Sequence, residues 1–323
     1  MLNFKCLKEK VLFISVIFVL SIIIPFASFV SGGKMPTEID KTNDNLEETF
    51  RLYDKSSNKI IKVSGKELIY GTVACEMLPS FEEEALKAQA VASYTYFMRM
   101  KDEKRNNKYD AEVDTLNWRY YVTKDQIKEK FKDLFEPYYN KITKAVDEVY
   151  GEYMAYDNKP ILAMYHAISS GNTENSEDVF GEKLLYLQNT PSQGDLFAPN
   201  YMTMKRVTQG EFKKIIKNKY QNIDFGSDPS QWIKNIERTS NGMVKKLDIC
   251  KQNLSGGEMR SLFSLRSSNF DIGFDNDEIV FHVRGYGHGV GLSQYGAEYM
   301  AKQGANYKEI LSWYYKNANF LKK

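Results

Sequence analysis

The run Cys75-Glu76-Met77-Leu78-Pro79-Ser80-Phe81-Glu82-Glu83-Glu84-Ala85-Leu86-Lys87-Ala88-Gln89-Ala90-Val91-Ala92 sets one carboxylate, Glu76, just ahead of a turn and a long alanine-rich helix. The helix is expected over Glu82–Lys104. Three acids open it, at the positive end of its dipole. Ala85, Ala88 and Ala92 make a small-residue stripe, and Leu86, Val91, Tyr94, Phe97 and Met98 supply bulk. Small residues let another element come close, so this helix is expected at the centre of the fold.

Around it, helices and strands alternate irregularly, which indicates an α+β fold rather than a doubly wound sheet. Short β-type alternation runs from Phe50 to Ser64, and Leu68–Met77 reads as helix. Asp125–Val149 is helical with a break expected near Pro137. Pro160–Ala167 reads as a buried strand and Gln209–Lys219 as a short basic helix. Met243–Cys250 and Glu278–Arg284 read as strands. Gly289–Gln303 and Asn306–Tyr315 are expected as closing helices. A smaller inserted subdomain is expected at about 192–274.

The N-terminus carries its own signal. Lys5, Lys8 and Lys10 precede an apolar run, Val11–Val30, broken only by Ser15, Ser21, Pro25 and Ser28. A bilayer core takes roughly 20 apolar residues. The basic flank belongs on the cytoplasmic side, so the rest of the chain is expected outside. No clean A-x-A site follows, which favours an uncleaved transmembrane helix over a signal peptide. The expected layout is an anchor with its flank over 1–31, a polar linker over 32–49 and a folded domain over 50–323.

The 323 residues are 42% hydrophobic and 27% charged, an ordinary globular composition. A net charge of +2 argues against a dedicated nucleic-acid binder. Aromatics reach 14%, which suits a core and also a surface that stacks on sugar rings. Cys6, Cys75 and Cys250 form no CxxC pair. Cys75 and Cys250 are either a disulfide or, the favoured reading, two free thiols.

Glu76 is the first candidate for chemistry. Desolvation of an acid at an apolar helix end raises its pKa and lets it hold a proton near neutral pH. It could then protonate a leaving oxygen, as glycosidases do. A solvated surface carboxylate is the alternative. Glu82, Glu83 and Glu84 are rivals, or simply a charged first turn. Lys87 lies one turn beyond Glu83 and Glu84, placed to pair with them or to bind a sugar or carboxylate.

The loop Ser169-Ser170-Gly171-Asn172-Thr173-Glu174-Asn175-Ser176-Glu177-Asp178 gathers hydroxyls, amides and acids. It suits either a polyhydroxylated ligand or the capping of a helix. Glu174, Glu177 and Asp178 are candidates for a second carboxylate. Gly285-Tyr286-Gly287-His288-Gly289-Val290-Gly291 lets the backbone pass close to a neighbour. His288 could bind substrate, tune Glu76 or pack the loop. His166 and His282 lie in expected strands and read as core histidines. Three scattered histidines make a poor metal set.

Taken in order, the segments around Glu76–Val91, Ser169–Phe180 and Gly285–Ala297 resemble the stage II sporulation protein D family, which also includes amidase enhancers. The resemblance runs from about Glu67 to Trp313. It implies a lytic transglycosylase that cuts between N-acetylmuramic acid and N-acetylglucosamine without water, leaving 1,6-anhydro ends. One acid suffices for that chemistry, and the family's catalytic glutamate falls on Glu76. The family's Ala-Leu-Lys-Ala-Gln lysine falls on Lys87. Lys87, Tyr121, Ser169, Ser170, Thr173, Glu174, Tyr286, His288 and Gln294 are the expected substrate contacts.

The resemblance further implies peptide-stripped glycan strands as substrate, a cell-wall amidase and a polytopic membrane protein as partners, and a role in engulfment during sporulation. Three departures stand out. Leu78 displaces the proline of Glu-Met-Pro to Pro79. Tyr94 stands where the family has Arg, which shifts any arginine contact elsewhere, such as Arg99. The Cys and His that let some relatives hold zinc have no counterpart in Val113–Tyr121. No metal or cofactor is therefore expected. A non-catalytic, glycan-binding activator of an amidase is the alternative function. A hydrolytic muramidase would need a second carboxylate, such as Glu174 or Asp178.

Overall fold

The computed structural model describes residues 48–323, which fall within one compact unit, Glu47–Lys323. The expected anchor and nearly all of the linker lie outside the described residues. Among the described residues no helix is long and apolar enough to cross a membrane.

The chain enters through a hairpin, β1 (Thr49–Asp54) and β2 (Lys59–Ser64), and turns into α1 (Gly65–Glu76). Ser64 caps that helix and Glu67 reaches back, a full capping box. The long helix α2 (Glu83–Glu103) follows, then β3 (Ala111–Val113), α3 (Lys124–Phe131) and α4 (Phe135–Val149). A short 3-10 turn, Lys132–Leu134, separates α3 from α4. The break thus lies before Pro137. Pro137 sits in the first turn of α4, where its missing N–H has no helical partner to lose.

Next come β4 (Glu152–Tyr156), β5 (Lys159–Pro160), β6 (Tyr165–His166) and α5 (Ser176–Phe180). The strand expected over Pro160–Ala167 is paired only at its two ends. The second half contains β7 (Met202–Thr208), α6 (Gln209–Lys219), β8 (Ile233–Arg238), β9 (Val244–Ile249), β10 (Gln252–Ser255), α7 (Gly256–Leu262), β11 (Phe270–Asp275) and β12 (Glu278–Arg284). The chain closes with β13 (Leu292–Ser293), α8 (Gln294–Lys302), α9 (Tyr307–Tyr314) and β14 (Asn319–Lys322). The helix expected from Gly289 starts only at Gln294, because Gly289 and Gly291 adopt positive φ and β13 intervenes.

The architecture is α+β, with helices and several small sheets. Two hydrophobic clusters fill it. The larger is built on α2, whose positions from Ala85 to Thr95 are all buried. It packs against α1, α4, α8, α9 and β4. Close packing of that kind needs the small Ala85, Ala88 and Ala92, each fully buried. The second cluster joins α6, α7 and strands β7 to β12 around Phe212, Trp232, Phe263 and Phe281.

One pairing matters most for the site. Strand β6 lies parallel to β13, with Tyr165 opposite Leu292 and His166 opposite Ser293. The glycine loop 285–291 therefore folds back over 164–168. Tyr286 and Ile168 exchange backbone hydrogen bonds of 2.7 and 3.0 Å. A Cβ on Gly287 would stand 2.6 Å from the Cβ of His166, and one on Gly291 2.1 Å from the Met164 oxygen. Both glycines have positive φ. The sequence is rich in glycine here because two backbones meet with no room for side chains.

Candidate active site

Glu76 is the last residue of α1. Its neighbours arrive from other elements. Tyr120 donates its backbone N–H to Glu76 Oε1 at 3.2 Å. Trp118 and Tyr120 have positive φ, a tight reversal that brings this amide back over the helix end. The Cys75 thiol anchors the same segment by donating to the Trp118 carbonyl. The Tyr96 ring stacks on that of Tyr120, 6.1 Å apart and 8° from parallel. These two rings also line a cleft of about 310 Å³ with Lys55, Glu112 and Arg119.

Burial lifts the Glu76 carboxyl from an ordinary 4.5 to about 7, and the Tyr120 amide only partly opposes it. The carbonyl end of α1 works in the same direction as burial, since it disfavours negative charge. An acid in this state is about half protonated at neutral pH, so it can both give and take a proton there. Tyr165 lies within electrostatic reach of Glu76, Tyr96 and Tyr120. Its hydroxyl is buried with no hydrogen-bond partner among the described residues.

From Tyr165 the site continues to the glycine loop. A hydrogen bond links His288 to the Tyr165 backbone. His288 Nδ1 accepts the Val290 N–H at 3.1 Å, which puts the ring proton on Nε2. Burial holds this imidazole down to about 4, so it stays neutral. Its ring lies 5.7 Å from His166 and 5.5 Å from Phe180. His166 is a buried core histidine, with Nδ1 against the Val290 carbonyl at 3.1 Å. His282 is half-buried in β12.

The other expected contacts divide sharply. Tyr286 is 46% exposed and stands beside His288 on the loop. Lys87 is buried, and its ammonium pairs with Glu148 at 2.6 Å, Glu84 at 2.8 Å and Glu83 at 3.2 Å. That cluster ties α2 to α4. Tyr121 is buried against Gly71 of α1. Gln294 is buried and donates to Gln89 Oε1 at 3.2 Å, joining α8 to α2.

The polar loop is turned inward. Ser169 Oγ accepts the Gly171 N–H, and Ser170 Oγ reaches the Asn241 carbonyl at 3.4 Å. Thr173 Oγ1 donates to the Gln188 carbonyl and accepts the Thr190 N–H. Glu174 is 1% exposed and accepts from Thr239 Oγ1 at 3.1 Å. Burial raises it too, to about 7. Asp178 pairs with Lys245.

Three further placements bear on the sequence reading. Tyr94 is buried and donates to Glu48 Oε2 at 2.7 Å. Arg99 pairs with Glu103. Cys75 and Cys250 are free thiols. The sequence reading missed Tyr96, Tyr120 and Tyr165 as neighbours of Glu76. It also missed Asp195, fully buried, which accepts from the Ser169 N–H and from Ser293 Oγ. That carboxylate fastens the polar loop to the cap of α8. No local signal marks any of the four.

Over 271 residues the chain is 32% identical to the stage II sporulation protein D of Bacillus amyloliquefaciens, covering 83% of this chain and 77% of that protein. The chain belongs to the stage II sporulation protein D family. A family model described as stage II sporulation protein matches residues 53–156, which include Glu76 and α2. The stage II sporulation protein D of Bacillus subtilis is likewise 32% identical, over 82% of this chain and 76% of that protein. The amidase enhancer of Bacillus subtilis is 25% identical over 76% of this chain and 39% of that protein.

Proposed function

We propose that this member of the stage II sporulation protein D family is a lytic transglycosylase acting on peptide-stripped glycan strands, with Glu76 as its single acid and base. One observation carries the reading. Glu76 is poised to be protonated near neutrality, and no second carboxylate among the described residues acts on it electrostatically. Glu174 and Asp195, the other raised carboxyls, are buried and closed off within the protein, Glu174 by Thr239 and Asn241 and Asp195 by Ser169 and Ser293.

A lone acid fits a reaction that uses no water. Glu76 gives its proton to the oxygen linking N-acetylmuramic acid C1 to N-acetylglucosamine. The C1–O bond breaks and positive charge develops at C1. The Glu76 carboxylate then takes the proton from the muramoyl 6-hydroxyl as that oxygen bonds C1. The ring closes as a 1,6-anhydro end and Glu76 is protonated again. The exposed rings of Tyr120 and Tyr286 offer faces on which sugars can stack.

In this reading the folded part acts outside the cell, behind an N-terminal anchor. An amidase strips the strands first, and a polytopic membrane protein serves as a further partner in engulfment.

A second reading is a glycan-binding activator of an amidase that cuts nothing itself. It draws on the likeness to the amidase enhancer and on the buried Tyr94, which stands where the family resemblance leads one to expect Arg. The test is to incubate the full chain with peptide-free strands and analyse the new ends by mass spectrometry. Anhydro ends support the transglycosylase. Reducing ends mean hydrolysis. Binding without cleavage favours the activator.

A further inference from the structure

Beyond Glu76, two part-buried arginines among the described residues have no carboxylate partner. Arg51, Arg99 and Arg284 are part-buried, and each has a carboxylate partner: Asp110, Glu103 and Asp271. Arg260 and Arg266 are also part-buried and form no ion pair among the described residues. A desolvated guanidinium without an anion is costly. Arg260, on α7, is sufficiently desolvated that its pKa is held down. Arg266 Nε is buried and has no hydrogen-bond partner among the described residues.

The two arginines converge on the glycine loop. The Arg266 guanidinium lies over the Tyr286 ring, 4.2 Å from its centre. The Gly287 N–H donates to the Arg266 carbonyl at 3.0 Å, which fixes the loop against this segment. Arg260 acts electrostatically on His288, on His166 and on Tyr286. His288 in turn touches Tyr165, the neighbour of Glu76. The nearby Asp271 is already held by Arg238 and Arg284. The cluster thus gathers two positive charges, two neutral imidazoles and an exposed tyrosine face around the glycine loop, whose His288 bonds to Tyr165.

We propose that Arg260 and Arg266 form a subsite for a carboxylate of the bound glycan, namely the lactyl carboxylate that a muramoyl residue exposes once its peptide is removed. This rests on the glycan reading above. A guanidinium matches a planar carboxylate with paired N–H donors. In a peptide-free strand the lactyl group is the only anion along the chain. In an intact strand the same carbon is an amide, which has no charge and carries the peptide. The arginine pair would therefore distinguish stripped from unstripped strands at the site of cutting, with the Tyr286 face beside the sugar ring.

The experiment uses the full chain carrying Glu76→Gln, so that ligands bind without turnover. Three probes are titrated: peptide-free strands, the same strands with carboxyls coupled to methylamine, and chitotetraose, which has no carboxyl. Arg260→Gln and Arg266→Gln are compared with the parent, and Arg260→Lys serves as the conservative control. Coupling to methylamine and Arg260→Gln should each weaken strand binding roughly tenfold or more. Arg260→Gln should add nothing on the coupled strands and should leave chitotetraose unchanged. Arg260→Lys should restore part of the loss.

Equal loss on chitotetraose would mean that the arginine only holds the loop, and overturns the subsite. Equal binding of coupled and uncoupled strands overturns it too, while leaving the glycan reading standing. Failure to bind any of the three probes, with no cleavage by the unmutated chain, overturns both.

Discussion

The phenol of Tyr165 lies within electrostatic reach of the Glu76 carboxyl, yet its buried oxygen has no hydrogen-bond partner among the described residues. A buried hydroxyl without a partner normally costs stability. Here the unpaired group stands beside the proposed acid. Tyr165→Phe removes no hydrogen bond from the resting fold, so the melting temperature should hold or rise, corresponding to within about 1 kcal/mol. The turnover rate on peptide-free strands should fall about tenfold. An unchanged rate would make the phenol a packing group.

Glu76→Gln should lower the rate of cleavage by about 10²- to 10⁴-fold, the range for loss of a general acid, while strand binding survives. Product analysis beside a binding titration separates the two. Retained cleavage would sink the assignment of Glu76.

Activity should also fall as pH rises through about 7, where Glu76 loses its proton. Stability carries the same signature. The folded chain holds this proton up to about 7, whereas an ordinary glutamate releases it near 4.5. Between those values the folded state binds more protons than the unfolded one, so stability drops as pH rises. Glu76→Gln lacks this cost. The variant should gain on the parent by about 1–3 kcal/mol above pH 7 and lose that advantage below pH 4.5. Denaturant titrations at pH 4 and 8 measure the difference.

Lys87→Met should destabilise the fold by about 1–2 kcal/mol, because Glu83, Glu84 and Glu148 would lose the cation common to all three, leaving only the exposed Lys144 beside Glu83 and Glu148. Those acids are about a third exposed or more, so water softens the loss. The Michaelis constant for glycan should stay the same. A raised Michaelis constant with unchanged melting would return Lys87 to the substrate.

Gly291→Ala should cost about 3 kcal/mol or more, since its Cβ would fall 2.1 Å from a backbone oxygen at a positive φ. Gly181, also at positive φ, has nothing within 4 Å of a Cβ, so Gly181→Ala should pay only the backbone term, about 1 kcal/mol. Thermal melts of the two variants give the contrast.

What the sequence made legible was local. Helix α2 announces itself through its opening acids and alanine spacing, and its bounds match to within a residue. The glycine loop is legible because a close backbone approach leaves few other residues possible. Glu76 stands out by position, at the end of an apolar helix. The residues around it do not. Tyr120 reaches Glu76 across 44 positions, through a reversal at two non-glycine residues with positive φ. Asp195 meets Ser293 across 98 positions. Pairings of that span leave no periodic trace.

The polar loop leaves two readings open for a related reason. Ser169, Thr173 and Glu174 look like ligand-binding groups, yet they satisfy the backbone and side chains of a buried crossing. Composition reports that hydrogen bonds are needed there. It does not report whether the partner is a sugar or the protein itself.

The parallel pairing of β6 with β13 also sets an order of events. Glu76 is synthesised early, but the strand that fixes Tyr165 beside it arrives more than two hundred residues later. His166 must wait for Val290, 124 positions away, before its ring is held. Contacts of such long reach form slowly and late. A nascent or interrupted chain therefore carries the acid without the strand pair that fixes Tyr165 beside it. The surroundings of Glu76 are therefore complete only once the last third of the polypeptide has folded.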